Sequence, residues 1–338
     1  MSIARQLARL SLVVIVLAIA GFVTQAHANP EPDENASWVG LIGAIQEAAR
    51  TTDYEGFFTY QHGTQLKTSR IVHMVDGTGE RERLEVLDGS PREFLRHNSS
   101  VQCLVPDKKL VVIQEQRHDR FPGFLVGSPQ TISASYTHKV QEQMGRVAGR
   151  DCKVIDILPK DSYRYGYRIC VDTDTNLLLK SQTLDNTGAV VDQLAFNTLK
   201  LGSDVVAERL ESRWNTKNWE VVELAPEPVD AAALGWHFAL PPGFVVNEQV
   251  SRSLRSGEQA IQLVLDDGLA VVSLFLEPYS GSGGKQKMSG QPYHEGVTAV
   301  YRDRIADYWA TAIGEVPIDT LRYLIEHTEY LPNKSFTQ

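Results

Sequence analysis

Residues able to do covalent chemistry are scattered in this chain and do not fall into known catalytic spacings. The sequence has no G-x-S-x-G, H-E-x-x-H or C-x-x-C segment, and Gly281-Ser282-Gly283-Gly284 departs from both phosphate-binding glycine templates. Its nine histidines form no convincing set of metal ligands. We therefore expect no enzyme, no metal site and no cofactor, although carboxylates brought together only by folding would escape such a search.

Two clusters of basic side chains are binding features of the sequence. Arg92 and Arg96 belong to one predicted strand, and Arg120 follows in a second basic run. Guanidinium groups bind phosphate and carboxylate through paired hydrogen bonds, so these three arginines are candidates for contact with an anionic ligand. Ordinary solubilising charge is the alternative, and it is favoured for either cluster taken alone. The alternating charges of Arg81-Glu82-Arg83 are interpreted as a solvated strand edge.

The chain has three cysteines, too few for a disulfide-dense small protein. Cys152 and Cys170 flank a predicted hairpin whose turn is centred on Asp161, and this register sets the two cysteines directly opposite each other. Opposed residues of antiparallel strands have Cα atoms about 4.5–5.5 Å apart, a distance that a disulfide can bridge. We predict a disulfide between Cys152 and Cys170; two buried thiols in a register shifted by one residue are the alternative. The same register pairs Ile157 with Tyr165 and Ile155 with Tyr167.

The first 28 residues have the features of a secretory signal peptide. Arg5 and Arg9 precede an apolar run over residues 10–23, and Ala26-His27-Ala28 is a small-x-small cleavage site. Removing this segment with its two arginines leaves 310 residues and takes the net charge from -9 to -11. Such an acidic chain is a poor ligand for nucleic-acid phosphates. We predict export to the periplasm with cleavage after Ala28; an uncleaved membrane anchor is the alternative.

The elements that position these residues begin with one amphipathic helix. After Ser37, apolar residues recur from Trp38 to Ala49 at the spacing of one helical face. Closely spaced turns then separate β-rich runs, which favours an antiparallel meander. Two of these runs are apolar on both faces, so the sheet must be covered on both sides. A curved, half-closed barrel with the helix on its open side satisfies this pattern, and its interior is either packed core or a ligand cavity. The candidate lining residues are Tyr54, Phe58 and Tyr60, on one strand face, with Tyr165 and Tyr167.

A change of pattern divides the chain into two domains. The alternation fades between residues 201 and 234, where an Ala-Pro-Glu-Pro segment is typical of an extended connector. Beyond it, Asp266-Asp267-Gly268 predicts a hairpin turn and Pro317 precedes a short helix. We predict a signal peptide over 1–28, a large domain over 29–205, a linker over 206–234 and a small domain over 235–330. The predicted fold class is α+β, a curved antiparallel half-barrel sheet with a covering helix plus a smaller C-terminal α+β domain.

Particular strings in both predicted domains carry a family resemblance. In the large domain they are Gly56-Phe57-Phe58-Thr59-Tyr60, Leu87-Asp88-Gly89-Ser90-Pro91-Arg92-Glu93, Val147-Ala148-Gly149-Arg150-Asp151-Cys152, Tyr165-Gly166-Tyr167-Arg168 and Asp174-Thr175-Asn176-Leu177-Leu178-Leu179-Lys180. In the small domain they are Trp236, Leu240-Pro241-Pro242-Gly243-Phe244, Asp267-Gly268-Leu269-Ala270 and Gly314-Glu315-Val316-Pro317. In this order, over nearly the whole mature chain, they resemble the RseB/MucB family of sigma-E regulatory proteins.

The resemblance implies a periplasmic sensor without a catalytic centre. Members of this family bind the periplasmic segment of a membrane-spanning anti-sigma factor and shield it from the site-1 protease. They release it when mislocalised lipopolysaccharide, or a related envelope-stress signal, occupies the sensor. Their large domain is similar to the lipoprotein carriers of the LolA type, a half-barrel with helices over an apolar cavity.

Two other classes of function remain open at this point. A periplasmic lipid or lipoprotein carrier is the first alternative, but a simple shuttle does not need an additional domain of about 100 residues. An exported hydrolase is the second, and it lacks any recognisable site. The sequence does not determine the oligomeric state, for which a homo-oligomer is one alternative. It also does not determine the residues that contact the partner.

Overall fold

The computed structural model describes residues 34–115, 127–224, 226–253, 258–279 and 290–332. The predicted signal peptide, residues 1–28, and the candidate anion contact Arg120 lie outside these ranges. Three α-helices are described: α1 (Glu34–Thr51), α2 (Pro129–Ser135) and α3 (Ile318–Glu326). None of these helices combines the length and the apolar character that crossing a membrane requires.

Thirteen strands form one open sheet. In chain order they are β1 (Tyr54–His62), β2 (Gln65–Asp76), β3 (Gly79–Val86), β4 (Arg92–His97), β5 (Ser100–Val105), β6 (Leu110–Glu115), β7 (Tyr136–Val140), β8 (Gly145–Val147), β9 (Arg150–Pro159), β10 (Gly166–Asp172), β11 (Leu178–Leu184), β12 (Val190–Leu201) and β13 (Glu220–Leu224). Their order is β13-β6-β5-β4-β3-β2-β1-β12-β11-β10-β9-β7, with β8 beside β9. The pairing of β1 with β12 joins two antiparallel meanders, and β13 lies parallel to β6. We call this sheet, with α1 and α2, the large lobe.

A second sheet of seven strands forms the core of the small lobe, together with α3 and a two-stranded ribbon. The sheet strands are β14 (Glu227–Pro228), β16 (Val245–Ser253), β17 (Gln259–Asp266), β18 (Val271–Pro278), β19 (Tyr293–Glu295), β20 (Thr298–Ile305) and β21 (Tyr308–Gly314), and the ribbon strands are β15 (Trp236–Phe238) and β22 (Thr328–Tyr330). The predicted α+β class, an open antiparallel half-barrel with a covering helix beside a smaller α+β domain, is confirmed.

Helix α1 packs its apolar stripe on the large sheet. Trp38, Ile42, Ile45 and Ala49 recur on one helical face and all are buried. They join buried strand residues in a single cluster that fills the space under the helix. Burying a side chain of the size of Ile42 or Ile45 contributes about 1.5–3 kcal/mol, so this stripe fixes the position of the helix.

The hairpin of β9 and β10 has a register two residues away from the predicted one. Tyr167 lies opposite Ile157, not Ile155, and Cys170 lies opposite Val154. A shift of two residues leaves every side chain on its original face, so Cys152 and Cys170 stay on one face and become diagonal neighbours. Their Cα atoms are 5.4 Å apart, and their sulfur atoms are joined in a disulfide.

Asp172, at the end of β10, holds the turn beside this disulfide. Burial would raise the pKa of its carboxyl, but hydrogen bonds from Arg150 and Thr175 outweigh burial and place the pKa below its usual range. The Arg150 contact is bidentate, with N–O distances of 2.8 and 2.9 Å. Because the folded pKa is lowered, this stabilisation is present above the unfolded pKa of about 3.9 and is lost as the pH falls through the folded value.

We expect Asp172→Asn to lower the free energy of unfolding by about 1–2 kcal/mol at pH 7, because it removes a charged hydrogen-bonded pair. The difference from the unsubstituted protein should shrink as the pH falls below about 4. Urea unfolding at several pH values measures both effects. Asp174→Asn is the control, since that carboxylate contacts the same Arg150 at 3.2 Å but is 78% exposed. An equal loss for the two variants would contradict the expectation.

A buried ionic cluster on the large sheet corrects the prediction of a solvated strand edge. Arg83 donates to Glu93, which is completely buried, and to Glu85 at 3.2 Å. The chain segment that follows β12 covers this cluster. The Arg209 carbonyl accepts a hydrogen bond from Arg83, and the Ser212 hydroxyl donates one to Glu93. Charged residues are therefore enclosed here because a later segment folds back over them.

The connector between the lobes contributes a strand to each sheet. β13 ends at Leu224 and pairs with β6, while β14 begins at Glu227 and pairs with β16. Much of the predicted linker over 206–234 is thus incorporated into one lobe or the other. The domain limits of 29–205 and 235–330 remain predictions.

Candidate functional site between the two lobes

An open cleft of about 680 Å³ lies where the two lobes meet. The large lobe lines it with the β9–β10 turn and the β11–β12 turn, and the small lobe lines it with β19 and the start of α3. Its lining residues are Leu158, Pro159, Asp161, Ser162, Tyr163, Arg164, Tyr165, Gly166, Leu184, Asp185, Asn186, Gly188, His294, Pro317, Ile318 and Asp319. Any occupant of this cleft would contact both lobes at once.

A buried charge pair joins the lobes at the wall of the cleft. The Nη1 atom of Arg164 donates to Oδ2 of Asp267 at 2.7 Å, and both side chains are fully buried. Arg164 also donates to Asp161 on its own turn and to the Pro242 carbonyl of the small lobe. The Tyr136 hydroxyl donates to the same Asp267 oxygen at 2.8 Å. A buried pair persists only when its remaining hydrogen-bonding groups are satisfied, as they are here.

The ring of Tyr136 packs against the Arg164 guanidinium, and burial changes the pKa of its hydroxyl. Burial, followed by the nearby Tyr167 and Asp267, raises the pKa of Tyr136 well above its ordinary value, so its hydroxyl stays protonated and donates. The guanidinium carbon lies 5.6 Å from the Tyr136 ring centroid and 5.1 Å from that of Phe244. The charge pair is therefore enclosed by aromatic rings from both lobes, which exclude water from it.

Each lobe inserts one side chain into the apolar core of the other. Leu269, in the β17–β18 turn, belongs to the buried cluster of the large lobe. Tyr163, in the β9–β10 turn, packs against the cluster of the small lobe and lies edge-on to Tyr323 of α3 at 5.4 Å. The Thr320 hydroxyl donates to the Tyr163 carbonyl at 2.7 Å. This reciprocal insertion makes the junction a packed interface instead of a loose contact.

Glycine is required where the two backbones meet. Gly268 has a φ of +98°, and a Cβ atom there would lie 2.8 Å from the Ile132 side chain of α2. Gly127 lies so close to Gly268 that a Cβ atom on Gly127 would be 2.1 Å from the Gly268 Cα. The Gly127 N–H donates to the Gly268 carbonyl at 2.9 Å. The predicted turn Asp266-Asp267-Gly268 therefore connects two strands and also packs closely against the large lobe.

Of the five residues proposed to line an apolar cavity, only Tyr165 lines this cleft. Tyr54, Phe58 and Tyr167 lie in the packed cluster under α1. Tyr60 is half-buried, and its hydroxyl lies against Gly296 of the small lobe. Their assignment to a ligand cavity remains a prediction.

The candidate anion contacts Arg92, Arg96 and Arg120 remain a prediction, and the structure describes the first two. The Arg96 guanidinium already contacts the carboxylates of Glu80 and Glu82 and is 15% exposed, so its charge is neutralised within the sheet. Arg92 is exposed on β4, and Arg120 lies outside the described residues. Within the described ranges, no group of three or more metal-binding side chains could hold an ion.

Sequence reasoning missed the residues that build the junction. Arg164 follows the predicted hairpin turn centred on Asp161, Asp267 lies in a second predicted turn, and the two are separated by 103 positions. No local spacing connects them. The one available signal was that Asp161 and Arg164 flank an aromatic Tyr163 in a turn, which is unusual for a fully solvated loop.

Comparisons with known proteins agree with this two-lobed architecture. The model of the MucB/RseB N-terminal domain matches residues 38–214, and that of the MucB/RseB C-terminal domain matches residues 230–329. The sigma factor AlgU regulatory protein MucB of Pseudomonas aeruginosa is 28% identical over 295 residues, covering 82% of this chain and 86% of that protein. The sigma-E factor regulatory protein RseB of Haemophilus influenzae is 25% identical over 299 residues, covering 86% and 90%.

Two solved structures cover both lobes. The crystal structure of MucB in complex with MucA(peri) has a TM-score of 0.68 and 25% identity, covering 88% of this chain and all of that one. The structure of the MucA/MucB complex of Pseudomonas aeruginosa has a TM-score of 0.70 at the same identity and coverage. With both of its lobes matched in order by the family models, this chain belongs to the MucB/RseB family.

Proposed function

We propose that this protein is a periplasmic negative regulator of the sigma-E envelope-stress response. It binds the periplasmic segment of a membrane-spanning anti-sigma factor and protects that segment from the site-1 protease. The observation that carries this proposal is the match to MucB solved together with MucA(peri), which extends over 88% of the chain and includes both lobes. Export with cleavage after Ala28 places it in the same compartment as its partner.

Protection of this kind needs occupancy and no bond-making chemistry. A bound segment is withheld from a protease as long as the complex persists, so the protective effect follows the affinity. A lipopolysaccharide-type signal releases the segment if it binds the free form of this protein better than the complexed form. Such a signal shifts the equilibrium only by the difference between its two affinities.

The test is retention of the mature protein on an immobilised periplasmic segment of its own anti-sigma factor. We expect retention from buffer and elution by lipopolysaccharide, with a scrambled segment as the control surface. In the same mixture, the protein should slow cleavage of the segment by the site-1 protease. Absence of both retention and protection would remove the proposal; co-purified acyl chains without partner binding would favour a lipid carrier instead.

A further inference from the structure

The cleft between the lobes has the lining of a site for a basic side chain. We propose that it binds a lysine or arginine side chain of an extended peptide, and that this peptide is part of the anti-sigma segment. The inference deepens the proposed function, on which the identity of the peptide rests.

The charge of the cleft is negative. Among its described lining residues, Asp161, Asp185 and Asp319 stand against one guanidinium, that of Arg164, which is buried and already contacts Asp161 and Asp267. Hydrogen bonds from Thr187 and Ala189 hold the pKa of Asp185 below its usual range, so this group is a carboxylate at neutral pH. Asp319 is 79% exposed, and among the described residues it pairs with the partly exposed Arg322. Exposed pairs of this kind are weak, so Asp319 can exchange its partner for an incoming cation at little cost.

Tyr165 gives the cleft an aromatic wall. Its ring is half-buried, it belongs to neither apolar cluster, and its hydroxyl has no hydrogen-bond partner among the residues that the structure describes. Burial, together with Asp185 and Asp192, raises the pKa of Tyr165, so the phenol remains neutral. A neutral ring beside carboxylates attracts a cation to its face.

The apolar part of the cleft matches the stem of such a side chain. Leu158, Leu184 and Ile318 line it together with Pro159 and Pro317. Lysine and arginine bury their methylene stems on apolar surface while their charged ends reach polar groups. A phosphate or carboxylate would instead meet like charge here, which argues against the anionic headgroup of a lipopolysaccharide as the occupant.

The first experiment uses a probe that does not depend on the proposed function. Acetyl-Leu-Lys-Leu-Lys-Leu-amide is titrated into the ¹⁵N-labelled mature protein, and amide shifts are followed by NMR. We expect shifts over residues 161–166 and 185–188 and at His294, which saturate and weaken with added salt. The matched peptide with glutamate in place of lysine should leave these amides unchanged. Shifts elsewhere only, or equal effects of both peptides, would overturn the inference.

The second experiment uses the anti-sigma segment itself, with Kd measured by calorimetry. We expect Tyr165→Ala to weaken binding about 10-fold and Asp185→Asn combined with Asp319→Asn to weaken it about 5-fold. The double variant should also show a smaller salt dependence. Asp107→Asn is the matched control, because Asp107 is an exposed carboxylate in the β5–β6 turn of the large lobe, outside the cleft lining.

The two failures are distinguishable. If the unsubstituted protein binds the segment and both cleft variants bind it within about twofold of that affinity, the proposed function stands and the site is wrong. If the lysine peptide binds in the cleft but the segment is not retained, the site stands and the proposed partner is wrong. Native circular dichroism and unchanged thermal unfolding of Tyr165→Ala would show that a lost affinity is not a lost fold.

Discussion

Replacing Arg164 with methionine is expected to lower the free energy of unfolding by about 3–5 kcal/mol. The substitution leaves the Asp267 carboxylate fully buried without its cation, while the side-chain volume is nearly kept. It also removes the donors to Asp161 and to the Pro242 carbonyl. Because the bonds to Asp267 and to the Pro242 carbonyl cross the junction, the lobes should separate before either lobe unfolds.

Urea unfolding followed by tryptophan fluorescence measures the loss, and small-angle scattering measures the separation as a larger radius of gyration. Arg168→Met is the matched control on the same hairpin, since that guanidinium also contacts a carboxylate, Asp156, but is 40% exposed. We expect the control to lose about 1 kcal/mol or less. Equal losses for the two variants would contradict the role assigned to the buried pair.

A double-mutant cycle isolates the charge pair from the packing around it. Asp267→Asn retains an acceptor for the Leu269 and Ala270 amides, which bond to Asp267 Oδ1 at 2.9 and 2.8 Å. The coupling energy between Arg164→Met and Asp267→Asn should then report their direct interaction. A coupling near zero would mean that the loss in Arg164→Met comes from the other contacts of the guanidinium.

Removing the disulfide is expected to cost about 3 kcal/mol. Cys152 and Cys170 are 18 positions apart, and closing a loop of this length restricts the unfolded chain by about that amount. Both residues are buried, so alanine at these positions also leaves a small unfilled volume. Urea unfolding of the double Cys152→Ala, Cys170→Ala variant measures the loss.

Cys103→Ala is the control for this variant, because Cys103 is a free and only partly buried thiol of β5. Its substitution should change the stability by less than about 1 kcal/mol. The unsubstituted protein, denatured without reductant, should carry one reactive thiol per chain, that of Cys103. Three reactive thiols, or an unfolding midpoint insensitive to reductant, would contradict the expected contribution.

Periodicity in the sequence was enough to predict the main elements of the fold. The stripe from Trp38 to Ala49 predicted α1, and the apolar spacing after Pro317 predicted α3, because each helix buries one face on a sheet. The turn at Asp266-Asp267-Gly268 predicted the β17–β18 hairpin. These signals are local, so they do not depend on knowing what packs against them.

The hairpin register was wrong because its connection is longer than a tight turn. β9 ends at Pro159 and β10 begins at Gly166. Asp161 accepts hydrogen bonds from the Tyr163 amide and the Arg164 side chain, which holds the intervening residues out of the ladder. Tyr163 and Arg164 contact the small lobe, and the sequence of the hairpin alone does not predict those contacts.

The candidate site was only partly predictable for a similar reason. Tyr165 was nominated as an apolar lining residue and does line the cleft, but Asp185 and Asp319 come from turns that a sequence reading treats as ordinary solvent-exposed loops. Likewise, Arg83 and Glu85 alternate as on a wet strand, yet a later segment encloses them. Sites assembled from distant turns of two lobes leave no spacing to recognise.

The insertion of Leu269 into the large lobe imposes an order of events during biosynthesis. Ribosomes deliver the chain from its N-terminus, so the large lobe is made before residue 269 exists. Its interior stays incomplete beside α2 until the hairpin of the small lobe arrives. A large lobe without that hairpin therefore lacks one buried member of its apolar cluster, and each lobe completes the packing of the other.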